Sequence, residues 1–253
     1  MLTLNRSLAG PAPARRPLIC VSLQGADADA LVAEAAVVLP QRPDVIEWRA
    51  DAFAGLADAA QVGVAARRLR QAVQGTPILF TRRSVAEGGM ANVAGEPQVL
   101  AAYDAVLQGG WVDAIDVELS QADDTIRALR AQSRAAGVTA ILSFHDFNAT
   151  PPNADLIARA ERAVAFGADA VKLATMPGSA ADVLRLLEVT REIAGRGQVA
   201  VISMAMGALG RWSRMAGGLL GSAMTFAAGL QASAPGQPDI ATLRAALDAL
   251  HAD

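Results

Sequence analysis

Among the 22 lysine and arginine residues of this chain there is one lysine, Lys172, inside the apolar run GADAVKLATMP at residues 167–177. A buried ion pair does not require lysine, because arginine usually makes the better one. What arginine cannot do is lose its proton and attack a carbonyl carbon. A lysine desolvated in an apolar wall, with Arg49 or Arg83 close by, is expected to give up its charge more readily, since burial and like charge both disfavour ammonium. That is the setting of a Schiff-base nucleophile. The competing reading is a lysine paired with a neighbouring carboxylate, which does no chemistry.

His145, in SFHDF (143–147), is one of two histidines, the other being His251 near the C-terminus. It is flanked by Ser143 and Asp146 and precedes the loop NATPPN, which suits a general acid/base as well as a satisfied core histidine. Further ionisable groups gather at the ends of apolar segments: Glu47, Arg49 and Asp51, then Arg82 and Arg83, then Asp116 and Glu118. Strand alternation puts Glu47 and Arg49 on one face, and likewise Met204 and Met206. Glu47 with Arg49 could be a structural ion pair, and the methionines could be core filler. Charge converging in this way predicts a small, polar, anionic ligand. Two histidines and one cysteine, far apart, give no zinc spacing. No calcium loop and no G-x-S-x-G elbow occurs. The chemistry reads as cofactor-free, with no metal.

The elements that must position these residues follow a regular beat. Apolar segments stand at 18–23, 44–51, 77–83, 112–119, 139–147, 169–176, 199–206 and 222–229, with helix-patterned stretches between them. ADLIARAERAVAFG and AADVLRLLEVTREIAG each close on glycine, as helices do. Strand–helix units recurring about every 30 residues, with strands apolar on both faces, predict an α/β fold, a single-domain (β/α)8 TIM barrel over 18–253. Residues 1–17 read as a lead-in, or a short strand pair closing the barrel bottom. The stretch between Arg214 and Asp239 carries no charge, but glycines and polar residues interrupt it. It reads as a buried helix followed by a buried strand, with no membrane span. A net charge of −3 and a pI near 5.5 argue against a nucleic-acid partner. The single Cys20 demands no oxidising compartment, and the N-terminus lacks a secretory h-region, so a cytoplasmic location is expected.

EWRAD (47–51), FTRRSVAEGG (80–89), DVEL (116–119), SFHDF (143–147), VKLATMP (171–177), SMAMGALGRWSR (203–214) and SAPGQ (233–237) occur in that order. With them the chain resembles the type I 3-dehydroquinate dehydratases, from about Leu18 onward. The resemblance implies that Lys172 forms an imine with the C3 ketone of 3-dehydroquinate. His145 would move the C2 proton and help expel the C1 hydroxyl, a syn dehydration to 3-dehydroshikimate, with Glu87 beside it. It further implies that substrate hydroxyls meet Glu47, Arg49 and Arg83, near Ser22 and the backbone around Trp48. Arg214 would hold the carboxylate, Met204 and Met206 would form an apolar wall, and Ser233 and Gln237 would sit on a loop that closes over the substrate. A homodimer is implied as well. Gly217–Gly218 departs from the Gly-Glu of many relatives and should alter packing or a subunit contact. Two rivals stand beside this reading: a class I aldolase of the same architecture, and a non-catalytic barrel that binds a small polyol acid.

Overall fold

Each of the eight apolar segments becomes a strand inside its expected bounds. The computed structural model describes residues 16–251, so all but Arg16 and Pro17 of the 1–17 lead-in lies outside the described residues. The strands are β1 (Leu18–Leu23), β2 (Val45–Arg49), β3 (Ile78–Thr81), β4 (Ala114–Glu118), β5 (Thr139–Asp146), β6 (Ala170–Thr175), β7 (Ala200–Ala205) and β8 (Met224–Ala227). Between them run α1 (Ala28–Val38), α2 (Ala59–Ala72), α3 (Glu96–Gln108), α4 (Asp123–Ala135), α5 (Asn153–Ala165) and α6 (Ala180–Arg196). Two one-turn helices, α7 (Gly207–Gly210) and α8 (Ser213–Ala216), follow β7, and α9 (Ile240–Leu250) follows β8. All ladders are parallel and the spatial order is β7-β6-β5-β4-β3-β2-β1-β8. The seam between β7 and β8 is closed by the bridge Val201↔Ser222 and by Ser203 N donating to Ser222 Oγ at 3.1 Å. This is a (β/α)8 barrel.

Two expectations need correction. The uncharged stretch holds no long helix: α8 passes into a 3-10 turn at Gly217–Leu220 before β8, because glycines break the periodicity. The helix expected to close on Gly195 continues to Arg196, and the left-handed residue that ends it is Gly197. A Cβ on Gly218 would lie 2.5 Å from Pro17 Cδ and 3.0 Å from His251 Nε2, which leaves no room for a glutamate there. Among the described residues no helix is long and apolar enough to cross a membrane.

Period-two alternation divides the side chains between two cores. Outward-facing residues pack under the helices, where Trp48, Phe53, Phe80 and Tyr103 meet edge to face at centroid distances of 5.5, 5.2 and 5.1 Å. Inward-facing residues fill the barrel, and the alanines at 114, 170, 174 and 200 keep its centre thin. That thinness makes room for long charged side chains.

At the bottom a clamp recurs on alternate strands. Asp44, Asp113 and Asp169, each just before an even strand, accept a backbone N–H from the first or second residue of the preceding odd strand. The bonds are Ile19 N (2.8 Å), Ile78 N (2.8 Å) and Ala140 N (3.0 Å). Each aspartate also pairs with an arginine: Arg16, Arg70 and Arg130 respectively. A carboxylate that accepts a strand N–H and a guanidinium together fixes register by charge-assisted bonds. Asp113→Ala should therefore lower the unfolding free energy by about 2 kcal/mol in urea denaturation while leaving KM unchanged. A loss below roughly 0.5 kcal/mol would mean that the clamp is idle.

Candidate active site

Lys172 points inward from β6, opposite Ser143 of β5 in the ladder, and is 5% exposed. Its Nζ lies 3.2 Å from Asp116 Oδ2 and 3.7 Å from Glu47 Oε1. The amine thus has carboxylates as its nearest charged partners, where the sequence suggested arginines. Arg83 is one step away, on the far side of Asp116: its Nη2 approaches Asp116 Oδ1 at 2.8 Å, and its Nη1 meets Glu118 at 3.1 Å and Ser143 Oγ at 2.9 Å. Ser143 Oγ in turn donates to Asp116 at 2.6 Å. Burial would push Asp116 up, but Arg83, Lys172 and the Ser143 hydroxyl outweigh it and hold the carboxyl below its ordinary range. Glu47 is fixed from behind by the hydroxyls of Ser22 and Thr81.

His145 sits one inward step further toward the mouth, opposite Ala174 of β6. Its backbone N and its Nδ1 both meet Glu87 Oε2, at 3.0 and 2.9 Å. Glu87 thereby orients the ring and leaves Nε2 for the cavity. Burial, then the cations Arg83, Lys172 and Arg49, hold the imidazole well below its ordinary pKa, which favours its neutral form. Glu87 is pushed up to about 7, first by burial and then by the charge of Glu118. Ser120 Oγ donates to its other oxygen at 2.8 Å. Asp146, although adjacent to His145, instead accepts from the backbone of Asn148 and Ala149 and shapes the following loop.

The loop after β3 depends on Asp51. Its carboxylate takes Arg49 in two parallel bonds of 2.9 Å and also accepts Met90 N (2.9 Å) and Arg83 N (3.2 Å). The partner of Arg49 is therefore Asp51, not Glu47. Gly88 has φ +82°, and a Cβ there would lie 2.3 Å from the Phe147 ring; at Gly89 it would lie 2.1 Å from Arg83 O. These two contacts account for the glycines that follow Glu87.

Arg214, on α8, is 1% exposed and differs from every other buried cation of the site. Its Nη2 donates to Pro235 O at 3.2 Å, while Nε and Nη1 have no partner. Burial alone lowers its pKa to about 10. The loop after β8 covers it: Ser233 Oγ donates to Ser22 Oγ at 2.9 Å, Gln237 Oε1 accepts Ser233 N at 2.8 Å, and Gly207 N donates to Pro235 O at 3.1 Å. A buried guanidinium with two unpartnered N–H-bearing nitrogens has the chemistry to receive an anion.

Lys172, His145, Glu87, Glu47, Arg49, Arg83, Met204, Met206, Arg214, Ser233 and Gln237 all line one cavity. Ser22 stands behind Glu47 and does not line it. The Trp48 side chain faces the outer core, so only its backbone remains where the sequence placed it. Arg82 points outward into a separate groove between α3 and α4. The sequence did not single out Phe226, Ala174, Phe147, Gly88 and Ala234, which also line the cavity, nor assign roles to Asp116 and Glu118. Alternation within DVEL already directed both carboxylates inward. Phe226 carried no signal beyond an apolar strand.

Residues 19–253 match the family model of type I 3-dehydroquinase. A 3-dehydroquinate dehydratase of Shouchella clausii is 44% identical over 236 residues, covering 93% of this chain and 92% of that protein. The crystal structure of 3-dehydroquinate dehydratase from Geobacillus kaustophilus matches with a TM-score of 0.92 at 38% identity, over 98% of both chains. That of the type I enzyme from Clostridium difficile with covalently modified comenic acid gives 0.90 at 35% identity, over 99% of this chain and 95% of that one. A barrel with a lone inward lysine, an oriented histidine and an open guanidinium, matched along its length in sequence and in shape, belongs to the type I 3-dehydroquinate dehydratase family.

Proposed function

We propose that this chain dehydrates 3-dehydroquinate to 3-dehydroshikimate through an imine on Lys172, with His145 as general acid and base. The observation that carries this reading is a single cavity lined by an amine, a neutral imidazole and a guanidinium with no carboxylate partner. The ligand's carboxylate supplies the missing partner of Arg214, and its hydroxyls meet Glu47, Arg49 and Arg83. Held this way, the C3 ketone faces Lys172.

The steps balance without an outside reagent. Lys172 sheds a proton, its nitrogen adds to C3, and loss of water leaves an iminium. The iminium draws electrons from the ring and acidifies the C2 proton, which His145 Nε2 removes to give an enamine. The enamine pushes out the C1 oxygen, which takes that proton back from Nε2 and departs as water. Hydrolysis then frees the amine and the product. Glu87, held near neutrality, answers the charge that appears on the imidazole each time Nε2 is protonated. The loop carrying Ser233 and Gln237 excludes water, and Met204 and Met206 form the apolar wall.

Borohydride added during turnover of 3-dehydroquinate should leave a reduced adduct on Lys172 by mass spectrometry, and an unmodified lysine would sink the imine mechanism. Lys172→Arg separates this reading from the binding-only barrel, which would keep its affinity, whereas turnover through an imine should be abolished. His145→Ala should still yield the adduct while dehydration slows about 10²- to 10⁴-fold; a near-wild-type rate would make His145 structural. Arg214→Leu should raise KM by about 30-fold or more, the loss expected when a buried charge partner is removed. It should also raise the melting temperature of the unliganded protein, since it deletes a buried charge that nothing compensates. An unchanged KM would place the carboxylate elsewhere.

A further inference from the structure

Phe226 reaches inward from β8 and is buried, and the face of its ring lies over Lys172 Nζ, 4.4 Å from the centroid. It is the one aromatic member of the interior cluster among the described residues; its neighbours there are aliphatic, sulfur-bearing or alanine. Barrel interiors of this fold are filled mainly by branched aliphatic side chains. A ring beside the only lysine therefore calls for a reason other than volume. The face of a benzene ring carries negative quadrupolar potential and attracts a desolvated cation within about 6 Å.

The contacts of Nζ differ in what they can follow through a reaction. An ammonium has three N–H groups, and the structure offers two carboxylates, Asp116 at 3.2 Å and Glu47 at 3.7 Å, together with the ring. An iminium keeps one N–H, so only one of those carboxylates can still receive a hydrogen bond from it. The ring needs no N–H, because it responds to the charge itself. It is the contact that persists unchanged when the nitrogen passes from ammonium to iminium.

We propose that Phe226 takes part in the reaction: its ring face holds the Lys172 nitrogen in its cationic form, as ammonium before attack and as iminium afterwards. This rests on the imine reading above. A neutral imine is a poor electron sink, so a contact that keeps the nitrogen protonated lowers the barrier to removal of the C2 proton. The ring adds this without a formal charge, which a third carboxylate would bring into an already crowded and dry interior.

The test replaces Phe226 with 4-fluoro-, 3,5-difluoro- and 3,4,5-trifluorophenylalanine, which keep the shape of the ring and progressively drain its face. Turnover of 3-dehydroquinate should fall stepwise, by about tenfold or more across the series, with KM changed much less. The free protein gives an independent reading. Lys172 is the sole lysine, so its tryptic peptide reports an amine reagent such as trinitrobenzenesulfonate for this site alone. At a fixed pH its labelling should quicken with each fluorine, as the ammonium loses a stabilising contact. Flat profiles in both measurements would overturn the proposal and leave Phe226 as filler. If the wild-type protein yields no borohydride adduct but the labelling trend holds, the imine reading fails while the contact with the ammonium stands. If the adduct forms throughout and both trends are absent, the imine stands and the role of Phe226 falls. Phe226→Leu, which keeps an apolar side chain without a π face, should behave like or worse than the trifluoro variant in both measurements.

Discussion

Asp116 allows an amine and a guanidinium to share the middle of a barrel. It has no exposure, and one oxygen faces Lys172 while the other faces Arg83 and the Ser143 hydroxyl. Without it, Lys172 would keep only Glu47, at 3.7 Å, and the two cations would lose the one carboxylate they share. Burying charge is unfavourable unless partners are close and hydrogen-bonded, and removing one partner costs more than the pair ever contributed. The remaining ionic contacts are arranged around this centre. Glu47 takes the other side of the amine, Glu118 the other side of the guanidinium, and Glu87 links the set to His145.

The buried charges inside the mouth are almost, but not fully, matched. Each carboxylate there touches a cation or a hydroxyl, and Arg49, Arg83 and Lys172 each touch a carboxylate. Arg214 is left over. A folded chain that tolerates one such group gives up stability in the empty state and recovers it when an anion enters. The carboxylate it would hold is present in substrate and product alike. In the proposed reaction its attraction would serve capture, whereas the nitrogen and the imidazole would act on groups that change.

Much of this could be read from the sequence, for reasons specific to the residues. Apolar strands at a regular spacing admit few architectures, and a single lysine in an arginine-rich chain marks a position where charge alone is not enough. Alternation predicted that Glu47 would share a face with Arg49, and Met204 with Met206, and both pairs line the cavity. Partnership was less legible. Arg49 binds Asp51 rather than Glu47, because the chain turns at residues 50–52 and carries the Asp51 carboxylate back over the strand end. The neighbours of Lys172 come from β2 and β4, two strands whose distance from β6 across the barrel no local pattern encodes. Phe226 was hidden because an aromatic in an apolar strand looks the same whether it fills space or faces a cation. The two-piece turn after β7 was missed because an uncharged, glycine-rich run resembles a helix in composition but not in the hydrogen bonds that its backbone can sustain.

The clamps beneath the barrel have a mechanical side. Three strand pairs are pinned at their lower ends by aspartates, each tied to an arginine and to backbone. The roof over the mouth is held by a few neutral hydrogen bonds, from Ser233 to Ser22 and Gln237 and from Gly207 N to Pro235 O, together with one from Arg214 to Pro235 O. The floor is therefore pinned mainly by charge-assisted bonds and the roof loop mainly by neutral ones. A ligand would enter where the closing bonds are few and neutral, while the nitrogen and the imidazole ride on β6 and β5, the pair that the Asp169 clamp joins at the other end.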